Sequence, residues 1–236
     1  MTRRYGQYCG LARALELVGG RWSLLIVREL LTGPKRFSEL EHELPGIATN
    51  VLSTRLRELE EAGLVRRSLL ALASSSVVYG LTPYGLALEE PVVHLGMWGS
   101  RSLGEPEEGD FFSPGALAIA LRGAFRPAEA KGLDIEVEIR FGEESLHVSV
   151  RKGQVSFPRE APSEPRRVLE TTPQVFAGLL AGRLDIESAV ASGRLRAEGP
   201  KREVRRFFQI FRLPTREAAP SDDALGDRGV HEGARR

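Results

Sequence analysis

Apolar residues in the first hundred positions recur at helical spacing, separated by short breaks. Leu11, Leu15 and Val18 predict one face of a first helix, which Gly19-Gly20 should end. The segment from Trp22 to Leu31 is apolar on nearly every side except at an Arg-Glu pair. We therefore expect it to be the central buried helix of this region.

Two further helices are predicted next, joined by a tight turn. Ser38 and Glu41 have the S-x-x-E spacing of a capping box, so we expect them to start a short third helix. Pro45-Gly46 predicts the turn. The fourth helix has its buried stripe at i, i+4 and i+7, formed by Leu52, Leu56 and Leu59.

A ribbon and a long helix complete the region. Val65–Leu70 and Val77–Leu81 predict two strands, and Thr82-Pro83 predicts an N-cap followed by proline. The last helix should run to about Ser102, bent at Pro91. Helices, a turn, a helix with a polar N-terminal face and a ribbon are the layout of a winged helix-turn-helix, which places one helix in the DNA major groove.

Beyond this region the pattern changes from helical spacing to alternation. Residues 135–141 and 146–150 alternate apolar with polar or charged side chains around a turn at 142–144, which predicts a β-hairpin. Further strands are predicted at 155–157, 168–170 and 195–197, and helices at 173–182, 186–191 and 203–211. The second half is therefore expected to be an α+β domain, and the whole chain α+β with a mostly helical first half.

Composition divides the 236 residues further. We predict a DNA-binding domain at 5–102, an acidic Gly/Pro-rich linker at 103–114, a second domain at 115–213 and a disordered tail at 214–236. One cysteine excludes an internal disulfide and fits a reducing cytoplasm. No apolar run reaches the roughly 18 residues of a membrane span, so we expect a cytoplasmic protein without membrane insertion.

The net charge of +1 does not by itself indicate a nucleic-acid binder, so the DNA hypothesis depends on individual positions. On the fourth helix, Asn50 can pair with adenine and Arg57 or Arg55 with guanine, while Ser53 and Thr54 permit close approach. Candidates nearer the phosphate backbone are Lys35, Arg36, Ser38, Thr49, Arg66 and Arg67. The alternative is that each is an ordinary solvated position.

One long stretch is similar to a known family. Cys9, ALELVGGRWSLLIVRELLTGPKRFSEL, PGI, VLSTRLRELEEAGLV and YGLTPYG resemble the HxlR family of bacterial winged-helix transcription regulators over residues 5–102. The resemblance implies a repressor that binds double-stranded operator DNA as a homodimer, through helices before and after the wing. Apolar candidates for the dimer contact, which could also pack within the chain, are Leu86, Val93, Met97 and Trp98.

The chain departs from the family pattern in three places. Ala48 stands where a serine often starts the helix, so Thr49 is expected to cap instead. Asn50 replaces a common basic residue, which should change the operator. The wing tip at 69–76 lacks proline and arginine, so we expect no phosphate contact there.

Cys9 aligns with a cysteine that some family members use to sense oxidants or electrophiles. A sensor thiol should be accessible and favour its thiolate, which Arg13 and the upstream Arg3 and Arg4 could promote. The alternative is a buried structural thiol.

The second half resembles the sterol-carrier-protein type two fold, over about residues 115–213. The similarity is carried by TTPQVFAGLLAGRLDIESAVASGRLRAEGPKREVRRFFQIF. It implies an apolar tunnel for a hydrophobic small molecule, lined by Ile139, Phe141, Val148, Phe176, Leu180, Phe207, Phe208 and Phe211. These residues could instead fill the core, or the domain could serve only for dimerisation.

A DNA reader joined to a ligand-binding fold predicts a one-component regulator responding to a hydrophobic effector. We predict no enzyme, cofactor or metal, because catalytic and metal-binding motifs are missing. Glu136 and Glu138 are expected on the solvated face of a strand. The alternatives are a lipid-binding or transfer protein and a redox-responsive regulator acting through Cys9.

Overall fold

The structure, a computed structural model, describes residues 4–70, 76–104, 111–158 and 167–213. The first half has the predicted layout of a winged helix-turn-helix. Its elements are α1 (Gly10–Val18), α2 (Ser23–Leu30), β1 (Lys35–Arg36), α3 (Phe37–Glu43), α4 (Thr49–Glu61), β2 (Val65–Leu70), β3 (Ser76–Leu81), α5 (Pro83–Leu86) and α6 (Glu89–Ser100). The wing strands β2 and β3 pair with each other, and the unpredicted β1 adds a third strand beside β3.

The second half is the predicted α+β domain. Its elements are α7 (Pro114–Ala124), β4 (Ile135–Phe141), β5 (Glu144–Arg151), β6 (Gln154–Ser156), β7 (Val168–Thr171), α8 (Pro173–Leu180), α9 (Ile186–Ala191), β8 (Leu195–Glu198) and α10 (Lys201–Gln209). They form one sheet in the order β6-β5-β4-β7-β8, in which only the β4–β7 pairing is parallel.

Parts of three predictions lie outside the described residues. They are the wing tip at 71–75, half of the acidic linker at 105–110 and the tail from 214 to 236. No helix among the residues that the structure describes has both the length and the apolar character of a membrane span.

The predicted inner face of α1 is wrong at Leu11 and Leu15 and right at Val18. Leu11 and Leu15 are 68% and 44% exposed, whereas Ala12 and Val18 are buried. The helix is therefore rotated so that Ala12 replaces the two leucines on the inner face, which a count of apolar spacing could not distinguish.

Two predicted helix starts also differ from the structure. The α3 cap is formed by Glu39, which accepts a hydrogen bond from the Arg36 backbone amide, and not by Ser38 with Glu41. Thr49 does not cap α4: its hydroxyl donates to Glu41 Oε1 at 2.6 Å. The α4 helix begins after Ala48 with no side-chain cap, so other contacts must hold its start.

The helix after the wing is broken and not bent. Thr82 caps α5 as predicted, accepting from the Gly85 amide at 3.0 Å, but α5 ends at Leu86 and α6 restarts at Glu89. Proline cannot donate the hydrogen bond that a helix interior requires. The restart places Pro91 in the first turn of α6, where no such bond is needed.

The helix α7 was missed by sequence reasoning and joins the two halves. Its Ile119 packs in the core of the first half, while Leu121 and Ala124 pack in the core of the second. Ser113 caps it by accepting from the Ala116 amide at 3.0 Å. The last residues of the linker predicted at 103–114 therefore cap and begin α7, the helix that packs in both cores.

One charged residue on the central strand is not solvated as predicted. Glu138 is 7% exposed and pairs with Arg140 at 2.6 Å, whereas Glu136 is only partly buried and pairs with Arg151. The hydrogen bond and charge of Arg140 lower the pKa of Glu138 despite its burial. Because β4 lies inside the sheet, Glu138 has a neighbour on each side, His147 of β5 and Val168 of β7.

We expect Gly85→Ala to destabilise the protein. A Cβ at Gly85 would lie 2.1 Å from the Leu64 carbonyl oxygen, and a backbone atom cannot swing away. Overpacking of this kind costs roughly 1–3 kcal/mol, which thermal unfolding should record as a lower Tm. The matched control is Gly99→Ala in α6, where nothing lies within 4 Å of the added methyl. Equal Tm values for the two variants would contradict the packing argument.

Candidate nucleic-acid interface and ligand sites

The polar side of α4 is directed to solvent by the burial of its opposite side. Its stripe of Leu52, Leu56 and Leu59 is at most 1% exposed. This leaves a recognition face, which we define as Asn50, Ser53, Thr54 and Arg57. All of it is exposed except Thr54, which is half-buried and donates its hydroxyl to the Asn50 carbonyl at 2.8 Å.

The two arginines of α4 have different surroundings. Arg57 is exposed, with Glu61 at a loose 4.0 Å, so its guanidinium can exchange that partner for a base or phosphate. Arg55 instead packs its guanidinium against Gly20 and pairs with Glu58. The structure thus places Arg57 with the recognition face and Arg55 on the side toward α1 and α2.

The predicted phosphate contacts before α4 also differ in their exposure to solvent. Lys35 is buried, and its ammonium donates to Glu43 Oε1 at 2.7 Å. Burial raises the pKa of Glu43 to about 7, although Lys35 acts in the opposite direction. Arg36 and Ser38 are exposed. Of these three polar groups, only Lys35 is held away from solvent.

The wing carries the remaining cations. Arg66 and Arg67 are exposed on β2, and the Arg67 guanidinium lies 5.6 Å from the centre of the Tyr79 ring. The strand register sets Arg67 opposite Tyr79 and Arg36 opposite Val78. Three exposed arginines therefore share the small sheet that follows α4.

A second surface is apolar and exposed. This α1/α6 surface includes two residues proposed from sequence, Leu86 and Trp98, whereas the other two, Val93 and Met97, pack against Gly123 of α7. A groove of about 270 Å³ lies between α1 and α5 within the surface. Its exposed apolar members are Tyr5, Tyr8, Leu11, Leu15, Tyr84, Leu86, Leu95 and Trp98.

Cys9 is exposed, which excludes the alternative of a buried structural thiol. It precedes the first residue of α1, and its carbonyl accepts from the Arg13 amide at 3.0 Å. The Arg13 guanidinium is directed to Glu16 at 3.0 Å, so the expected support for a thiolate is shared with a carboxylate.

The residues predicted to line a tunnel are packed against one another in the core. Ile139, Val148 and Phe207 are at most 1% exposed. All five of the phenylalanines form a continuous chain of ring contacts with centroids 5.0 to 5.7 Å apart, running Phe141, Phe176, Phe208, Phe207 and on to Phe211. All eight predicted lining residues belong to the same hydrophobic cluster, which the alternative interpretation expected.

An apolar cavity lies beside this core. The α9–α10 cleft holds about 340 Å³ between α9, β8 and α10 and shares Val204 with the core. Its lining is largely aliphatic, with Lys201 and the Arg205–Glu187 ion pair among it. Sequence reasoning missed the cleft because its lining comes from three separate elements, and the 41% exposure of Val190 on the six-residue α9 becomes visible only in the structure.

Comparison with known proteins agrees with this geometry. The family model described as HxlR-like helix-turn-helix matches residues 17–107. The transcriptional regulator YvaP of Bacillus subtilis is 39% identical over 89 residues, which are 38% of this chain and 82% of that protein. YodB, an HTH-type transcriptional regulator of the same organism, is 38% identical over 88 residues, 37% of this chain and 79% of YodB. The chain belongs to the HxlR-like helix-turn-helix family.

The second half of this HxlR-like protein matches the SCP-2 sterol transfer family over residues 120–212. The protein is thus an HxlR-type transcriptional regulator with a C-terminal SCP-2 domain. Among solved structures, "Redox regulator HypR in its oxidized form" is 32% identical, with a TM-score of 0.39, and the match covers 41% of this chain and 99% of that one.

We expect Arg57→Ala to weaken binding to the DNA upstream of the protein's own coding sequence by roughly 5- to 100-fold, because a base contact of arginine contributes about 1–3 kcal/mol. Fluorescence anisotropy at two salt concentrations measures the loss and any change of salt slope. The matched control is Arg55→Ala, two residues earlier on a different side of α4, which should leave the affinity close to that of wild type. Equal losses for the two variants would show that the recognition face is wrongly assigned.

Proposed function

We propose that this HxlR-type regulator binds double-stranded operator DNA as a homodimer and represses transcription in the cytoplasm. The observation that carries the proposal is the recognition face on α4, set opposite a fully buried leucine stripe and followed by the exposed arginines of the wing sheet. Asn50 supplies the amide for adenine and Arg57 the fork for guanine. Arg36, Arg66 and Arg67 are suited to phosphates, and Lys35 and Arg55 are left out of the interface.

The α1/α6 surface supports the dimer. Large exposed side chains such as Leu11 on α1 and Trp98 on α6 are the kind of apolar residues that mark an interaction site. A two-fold dimer uses the same surface on both copies and carries two recognition helices. Successive major grooves are about 34 Å apart on one side of the duplex, so we expect a palindromic operator.

The signal is proposed to enter through the α9–α10 cleft. Its aliphatic walls fit an apolar chain, and Lys201 fits a negative head group, since Arg205 is already paired with Glu187, so an amphiphilic anion is the preferred effector. The aromatic core residues predicted from sequence then support the cleft from behind. Such a ligand acts as a switch only if it binds the DNA-competent and incompetent dimers unequally.

Cys9 offers a second signal input, because its thiol is exposed at the start of α1. The N-terminal arm around it lines a cavity together with Arg4, Arg13 and Glu16. With one cysteine per chain, oxidation would join two protomers or add a small thiol.

The dimer proposal predicts that replacing Leu11 and Trp98 with aspartate produces monomers. Buried like charges on both copies would oppose association, and losing the second half-site should reduce operator affinity by roughly 100-fold or more. Light scattering after size exclusion gives the mass, and anisotropy gives the affinity. The control Leu69→Asp changes a similarly exposed leucine on β2 and should remain dimeric. A dimeric double variant would overturn the proposed surface.

The signal proposal predicts that palmitate, but not an uncharged short alcohol, releases wild-type protein from operator DNA. Val190→Trp should fill the cleft and abolish both release and palmitate uptake seen by native mass spectrometry, whereas Leu103→Trp, exposed outside the cleft, should not. Cys9→Ser should respond to palmitate like wild type.

Two results would redirect this proposal. Release by diamide that Cys9→Ser abolishes, together with no response to palmitate, would make the thiol the sensor. Palmitate uptake combined with shallow, unspecific DNA binding would favour a lipid-binding or transfer protein instead, since a regulator shows a steep salt slope and prefers its operator.

A further inference from the structure

Two buried carboxylates lie side by side in the first half of the protein. Glu29 of α2 is 0% exposed, and the side chain of Glu43 at the end of α3 is 12% exposed. The helices that carry them pack against each other, and Glu29 is among the groups that raise the pKa of Glu43, so the two carboxyl groups interact. Two adjacent carboxylates in a low-dielectric site cannot both carry a charge without a large cost.

Each carboxylate is paired on one oxygen only. Glu43 Oε1 accepts from Lys35, and Glu29 Oε1 accepts from Arg28 and from the Ser113 hydroxyl at 2.7 Å. The Oε2 atoms of both glutamates are buried and have no hydrogen-bond partner among the residues the structure describes. A proton on either carboxyl group would turn one of its oxygens into a hydrogen-bond donor, which the other carboxylate could accept.

The charged surroundings come from every element packed on the pair. The α2 helix contributes Arg28, β1 contributes Lys35, and β3 contributes Tyr79, which lies opposite Lys35 under the Arg67 guanidinium. The neighbouring His42 is exposed and bonds outward to Glu144 at 2.9 Å. Burial is the strongest influence, and it raises the pKa of Glu43 to about 7.

The pair lies where the DNA-reading half meets the helix shared with the second half. Glu43 and Lys35 belong to α3 and β1, which frame the turn before α4. Glu29 contacts the start of α7, where a Cβ on Gly115 would lie 2.1 Å from its Oε2. A movement of α7 or of α3 would therefore change the surroundings of the same two carboxyl groups.

We propose that Glu29 and Glu43 share one proton and form a latch between α2 and α3, beside the start of α7, that adjusts operator affinity to pH. With the proton bound, α3 is held on α2 in the arrangement described above. Without it, two neighbouring buried anions repel, α3 separates from α2, and the helix-turn-helix loses its preformed geometry. The latch rests on the proposed function, because it changes the binding of operator DNA.

The sign of the effect follows from the direction of the shift. A carboxyl whose folded pKa lies above its ordinary value of 4.5 makes the folded protein bind more protons than the unfolded chain. Stability should therefore fall as pH rises from about 4.5 to about 7. The Glu43→Gln variant carries a neutral amide at every pH and should lack this decline.

The test uses the full-length dimer and DNA from upstream of its coding sequence, at pH 6 and pH 8. Wild-type affinity should fall by about threefold to tenfold, the range that one linked proton allows. Glu43→Gln should hold its pH 6 affinity at pH 8. The control Glu90→Gln, an exposed carboxylate on α6, should follow wild type in affinity and in the urea midpoint of unfolding.

Parallel pH profiles for wild type and Glu43→Gln would overturn the latch, as would a flattened stability profile with an unchanged affinity profile. If Glu43→Gln does not fold, Glu29→Gln replaces it with the same expected outcome. If no variant prefers the upstream DNA at any pH, the proposed function fails separately. Carbon-13 NMR titration of the wild-type glutamate carboxyls then tests whether the proton is shared. A Glu43 carboxyl that titrates in the usual range of a glutamate would exclude it.

Discussion

The burial of one side of α4 against the first-half core is the contact on which the DNA-binding geometry depends. Leu52, Leu56 and Leu59 fix the rotation of the helix about its own axis, and that rotation decides which polar residues reach solvent. A rotation by one residue, about 100°, would exchange Arg57 for a neighbour. Since α4 lacks a side-chain cap, its position is determined by these leucines and by the hydrogen bond between Thr49 and Glu41.

The second constraint is that two hydrophobic cores meet on one helix. The α7 helix gives Ile119 to one core and Leu121 to the other, and Arg122 pairs with Glu89 of α6. A surface contact between His42 and Glu144 adds a second connection between the halves. A displacement in the SCP-2 domain therefore has a packed route toward α2 and α3, without needing contact with DNA itself.

Sequence periodicity predicted most elements because strong stripes and turn residues occur together, as in α4 and the β4–β5 hairpin. It failed at α1, where apolar spacing cannot say whether Leu11 faces a core or a partner copy. It also failed at α7, whose small residues and glycines resemble linker composition. Lys35, Arg55 and Glu138 were expected in solvent because the elements that pack over them, such as Gly20 over Arg55, cannot be read from the sequence. An acid inside the apolar α2 segment was the visible sign that Glu29 has buried partners.

Because α7 packs in both cores, the two halves of the protein cannot be separated without damage to either. The first family match ends at residue 107 and the second begins at residue 120. The seam, which is the segment between them, contains Ser113 and Gly115, and both contact Glu29. Cutting the chain at this seam would leave Ile119 without its pocket and Glu29 without the Ser113 hydroxyl. Each half thus depends on the other for part of its packing, and either half expressed alone should be prone to aggregate.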